Sequence, residues 1–210
     1  MNTSASRAGL RPPTRPAWHG PPDVLRLMWT RPRASVRWLI DHGGVRLSIL
    51  LVCGAAASTV IADGSLAVRT SDFGRWTWVV DLAVGMVLGL LAWAIAAFVL
   101  TGIGRVLGGV GTWSELLIAL AWGQAPAAAG LPFALLMLWS RSLDNANSEL
   151  LSALVLFVLY VWALGTTTLA VAEAHRFSFA RAVVCALAGV GLYVTFAAVF
   201  HVLFGLNLRV

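Results

Sequence analysis

The chain has no lysine, and only 11% of its 210 residues are charged. Soluble domains carry about 25% charged residues, so most of this chain cannot be kept in water. With 59% hydrophobic residues and a mean hydropathy of +0.83, its composition is that of an integral membrane protein of single-domain size, which excludes a soluble enzyme, a disordered chain or a nucleic-acid-binding domain. Cysteine is scarce too. Cys53 and Cys185 both sit in apolar runs, with no CxxC and no neighbouring His, and read as small buried hydrophobes. There is no HExxH, no GxSxG and no His/Asp/Glu cluster with ligand spacing, so no metal, cofactor or hydrolytic centre is expected.

All fifteen basic residues are Arg, for a net charge of +6 and a pI near 10.9. That balance invites nucleic acid as a partner, but the positions oppose it. Eight Arg precede the first long apolar run, where basic residues mark the cytoplasmic side of a membrane protein. Residues 1–22 are polar, hold five of the eight Pro, and lack the apolar core of a signal peptide. They read as a disordered cytoplasmic arm.

Residues 23–44 are too charged to span and too apolar to be a linker. Pro32 suits a first helical turn. Val36, Leu39 and Ile40 then share one face, and Arg33 and Arg37 another; Val24, Leu27 and Met28 repeat the pattern before the break. With Trp29 and Trp38 as headgroup-level anchors, this predicts two short amphipathic helices on the inner leaflet. The competing reading packs them on the cytoplasmic ends of the spans.

Five apolar runs follow, at about 45–62, 77–100, 115–139, 150–172 and 180–204. Each approaches the roughly 20 residues that cross the hydrocarbon core. The fold class is therefore an all-α membrane bundle of five transmembrane helices occupying 45–205. An inner N-terminus puts eleven Arg inside, Arg105, Arg176 and Arg181 among them, and leaves Arg69, Arg75, Arg141 and Arg209 outside. N-in, C-out in the inner (plasma) membrane follows, and rests on the arm. Trp76, Trp78, Trp113 and Trp139 fall at span ends, as interface anchors do.

The segment "TGIGRVLGGVGTWSE" resembles a phosphate cradle only superficially, because it follows a membrane helix and not a strand. Gly102 and Gly104 can end the second span, and Thr112 with Glu115 forms a capping box that starts the third. That third span holds Gln124, Pro126 and Pro132, which predict a kink. Ala121, Ala125 and Ala129 give it one small face. Gly85 and Gly89 form a GxxxG in the second span; whether it serves contacts within the chain or a homo-oligomer is open. Asp81, Glu173, His175 and His201 lie near interfaces, and Glu173 with Arg105, Arg176 or Arg181 is the expected ion pair of the inner face.

The order of these features resembles the Yip family, the Ypt/Rab-interacting-protein type of membrane protein, in its bacterial branch, over about residues 24–205. "LRLMWTRPRASVRWLID" is similar to the family's pre-span segment, with Trp29, Pro32, Arg37 and Asp41 in place. "GGVGTWSELLIALAWGQAP", containing Gly111, Trp122 and Pro126, is similar to its most recognisable block, and "AVAEAHRFSFARAVVCAL" to its last link. The resemblance implies a five-helix bundle, N-in and C-out, and a protein-binding or membrane-organising role without catalytic residues. The eukaryotic Asp-Leu-x-Gly-Pro motif is missing, so binding of small GTPases does not carry over. The expectation is a non-enzymatic scaffold or adaptor whose partners are the lipid bilayer and an unidentified membrane or cytoplasmic protein. A small-solute, ion or lipid transporter built on the kinked third span is the alternative.

Overall fold

The structure, a computed structural model, describes residues 26–62, 77–143 and 146–205. The arm 1–22, Val24, Arg69, Arg75, Trp76 and Arg209, and the side chains of Trp78, Arg141 and His201, lie outside the described residues.

All regular elements described are helices: α1 Pro32–His42, α2 Val45–Ala62, α3 Thr77–Val106, α4 Trp113–Gly123, α5 Ala125–Ala129, α6 Leu131–Ser142, α7 Ala146–His175 and α8 Phe179–Gly205. Four stretches are long and apolar enough to cross a membrane: α2, most of α3, α4 to α6 taken together, and α7. The last helix, α8, runs 27 residues, with its apolar stretch described over Phe179–Leu192.

The layers follow from which helix is small or broken. In the apolar stretch of the third span 61% of residues are buried inside the protein, against 6% for α3. The third span is thus the centre, packed on α2, α3 and α7, while α3 turns Val84, Leu88, Leu91, Ile95 and Phe98 outward. On α3, a Cβ at Gly85 would collide with Val60, and one at Gly89 would stand 2.6 Å from Ala56 Cβ. The GxxxG face is therefore consumed by α2 of the same chain and is not a free surface for a second copy. Ala121 and Ala125 are buried but Ala129 is exposed. The predicted every-fourth-residue stripe stops there because the helix itself breaks at Gln124 and Gly130.

In the pre-span segment the structure shows the packing on the bundle that the competing reading describes. Of the first predicted helix the described residues contain one helical turn, at 26–28. Pro32 occupies the start of α1. The helix ends at Gly43, whose left-handed φ of 73° lets its N–H reach the Leu39 carbonyl at 2.9 Å. Met28, Val36 and Leu39 are buried in the main core with Leu116, Trp122 and Val171. The buried side of α1 is thus turned to protein, while Trp29 stays exposed.

Candidate functional site

The site lies where α1, the end of α3, the start of α4 and the α7–α8 link converge, here called the α1 end. Two helices finish there in the same manner. At α3, the Gly109 N–H reaches back to the Gly104 carbonyl (2.8 Å) and Gly108 to that of Arg105 (3.0 Å), with Gly108 at φ 83°. At α7, Phe177 reaches Ala172 (2.7 Å) and Arg176 reaches Glu173 (3.2 Å). Both are Schellman ends. In the second the left-handed position holds Arg176, at φ 57°, where glycine would be unstrained.

The first end wraps the second. His175 closes α7 and is 1% exposed. Its Nδ1 accepts the Gly111 N–H at 3.2 Å, and its Nε2 lies 3.1 Å from the Leu100 carbonyl, an acceptor, so Nε2 donates. The two backbone partners fix the neutral Nε2–H tautomer. The last turn of α3 and the loop after it must be glycine to come this close: a Cβ at Gly104 would sit inside the imidazole, and at Gly109 and Gly111 it would stand 2.6 and 2.7 Å from Nδ1. Phe177 stacks on the ring at 5.1 Å, and the buried Cys185 thiol is 3.9 Å from the same Leu100 carbonyl. With both ring nitrogens committed to backbone, His175 works as a bolt between helices.

Glu173 is paired from α1. Arg37 Nε lies 2.9 Å from its carboxylate, and Arg37 Nη2 donates to its backbone carbonyl at 2.7 Å. The expected pairing with Arg105, Arg176 or Arg181 is replaced. Those three are exposed and, among the described residues, in no ion pair; α1, docked on α7, supplies the cation instead. Across the loop, Thr112 and Glu115 close the capping box of α4: the Glu115 N–H reaches Thr112 Oγ1 at 3.4 Å, and the Thr112 N–H reaches the Glu115 carboxylate at 2.8 Å.

Deeper in, the third span breaks where α7 can repair it. The Gly123 carbonyl accepts the Thr166 hydroxyl at 2.7 Å, and Gln124 Nε2 approaches Thr167 Oγ1 at 3.5 Å. A Cβ on Gly123 would be 2.6 Å from Thr167 Cα. Pro126, buried, cannot donate back to the Trp122 carbonyl, which is why the break falls here.

The remaining residues singled out from sequence scatter around these joints. Trp29 is exposed, and Trp38 stacks on His42 at 4.4 Å. Arg33 has a buried Nε, and Trp122 a buried Nε1, without hydrogen-bond partners among the described residues. Sequence reasoning placed His175 at a span end but missed its bolt role. The available signal was a His inside an apolar run facing a loop of glycines at 104, 109 and 111. No group of three His, Cys, Asp or Glu that could hold a metal occurs among the described residues.

No curated protein and no solved structure matches the chain. A family model, the Yip1 domain, matches residues 26–201, from the turn before α1 well into α8. That match covers the docked pre-span helix, the glycine loop, the broken third span and the last link as one unit, and the chain belongs to the Yip1 domain family.

Proposed function

We propose that the chain is a non-enzymatic membrane scaffold or adaptor, crossing the inner membrane five times with its N-terminus in the cytoplasm and its C-terminus outside. Support comes from the Arg distribution, from the 27-residue α8 as fifth crossing, and above all from the way α1 is held. Its buried side (Ser35, Val36, Leu39) and the Arg37–Glu173 pair fasten it to the bundle. Arg31, Ala34 and Asp41 remain exposed. A helix gripped along one side offers the other as a fixed shape, and a preformed surface avoids the ordering cost that a flexible arm has on binding.

A photo-crosslinking residue at Ala34 or Asp41, in the full chain in native membranes, should yield protein adducts of discrete mass. Adding Arg37→Gln should weaken them by loosening α1. Adducts that ignore Arg37→Gln, or none at all, would sink the adaptor reading. Solute flux into proteoliposomes that disappears with Gln124→Leu would replace it with a transporter.

A further inference from the structure

The α1 end carries four cations at helix ends. Arg46 is the second residue of α2, Arg105 the penultimate residue of α3, Arg176 the first residue beyond α7 and Arg181 the third of α8. Each is exposed, and none is in an ion pair among the described residues. Glu173 is already held by Arg37 and Glu115 by the capping box, which leaves Asp41, exposed on α1, as the open carboxylate against four cations. The opposite end of the bundle carries a different set: Asp81 on α3, Arg141 near the end of α6 and Glu149 on α7. Trp29 and Trp113, 38% and 48% exposed, lie at the α1 end of the bundle, and Trp is a side chain that settles among headgroups.

A guanidinium within a turn of the end of an apolar span sits at phosphate depth. Its planar fork matches two phosphate oxygens, which an ammonium cannot do with fixed geometry. Four such groups, at or just beyond the ends of four different helices, lie where lipids of one leaflet must pack. We infer that Arg46, Arg105, Arg176 and Arg181 form a binding ring for the phosphodiester headgroups of anionic phospholipids, holding an annulus of them around this end. The inference goes beyond the scaffold reading and stands without it, since it requires only that the helices cross the membrane.

The test uses the full chain in vesicles of phosphatidylcholine, with spin-labelled phosphatidylglycerol or spin-labelled phosphatidylcholine of the same acyl chains. The fraction of each label slowed at the protein surface gives a relative association constant. Phosphatidylglycerol should be preferred, by up to about fivefold at a ring site, the equivalent of one Arg near a lipid surface. The preference should shrink with added salt. Arg46→Gln, Arg105→Gln, Arg176→Gln and Arg181→Gln together should abolish it, while Arg141→Gln at the other end leaves it intact. Glycerophosphoglycerol, which shares the headgroup without the chains, should compete poorly; if it displaces the labelled lipid at equal concentration, the site is one for free phosphodiesters and the lipid assignment fails. If the fourfold variant does not fold, the pairs Arg46→Gln/Arg105→Gln and Arg176→Gln/Arg181→Gln are read instead, each expected to remove part of the preference. Equal association of the two lipids with the unmodified chain overturns the inference outright, as does a preference that survives both pairs. An unmodified chain indifferent to lipid charge would leave the ring to an acidic protein.

Discussion

Alanine at Gly104 and alanine at Gly102 are the same chemical change two residues apart on α3, yet the surroundings give them opposite signs. A Cβ at Gly102 meets nothing within 4 Å. Replacing an exposed helical glycine by alanine there should stabilise by roughly 0.5–1 kcal/mol. A Cβ at Gly104 lands on the His175 ring, which has no easy retreat. Phe177 stacks on it, Gly111 holds one nitrogen and Leu100 the other. Overpacking costs about 1–3 kcal/mol, and a buried Gly111 N–H left unpaired costs about 1–3 kcal/mol more. After the helix-propensity gain, a net loss of about 1–5 kcal/mol remains. The buried Cys185 thiol, beside the same Leu100 carbonyl, is a built-in reporter. In a Cys53→Ala background, a thiol-reactive fluorophore followed through a temperature ramp in detergent reads the opening of this site. Gly104→Ala should lower the labelling midpoint by roughly 2–20 °C, given about 2–4 °C per kcal/mol for a chain of this size, and Gly102→Ala should raise it. Shifts of the same sign would refute the reasoning. A second check is internal: in His175→Ala, the penalty for Gly104→Ala should nearly vanish, and a penalty that persists would mean the clash is not with the imidazole.

Three further outcomes follow from the joints. Arg176→Gly relieves a left-handed residue and should raise the midpoint in the same assay by the equivalent of about 1 kcal/mol; a fall would deny the strain. A double-mutant cycle of Arg37→Gln and Glu173→Gln should give a coupling of about 1–2 kcal/mol, a range for charged hydrogen bonds trimmed because both side chains are about one-quarter exposed; zero coupling would remove the pair from the account of α1. Thr166→Val strands the Gly123 carbonyl and should cost about 1–3 kcal/mol, whereas Thr168→Val, whose hydroxyl only bonds back to Leu164 of its own helix at 2.8 Å, should be nearly neutral; equal losses would show that the broken span is not stitched through Thr166.

What could be read ahead of the structure divides along the range of the interactions. Spans announce themselves through runs of apolar residues, and the Thr112–Glu115 cap lies within three residues, so both were legible locally. Gln124, Pro126 and Pro132 likewise announced the break. Partners did not. Arg37 and Glu173 are 136 positions apart, and nothing local distinguishes Arg37 from the Arg residues nearer Glu173 in the chain. The helix α1 shows the same limit in another form: the periodicity of Val36 and Leu39 reports that a face is apolar, and lipid and protein satisfy that face equally well on paper. His175 was the hardest to read, because its surroundings are made of backbone, and backbone N–H and C=O groups carry no sequence signature.

The broken third span also bears on how the chain enters the membrane. Its mean hydropathy, 1.4, is the lowest of the four candidate spans. The hydroxyl that covers its opened carbonyl belongs to Thr166, made 43 residues later. On its own in hydrocarbon, the emerging segment would carry an exposed Gly123 carbonyl and the Gln124 amide. It gains this partner only when α7 has been synthesised, so the opened carbonyl stays uncovered by Thr166 until the third and fourth apolar spans meet.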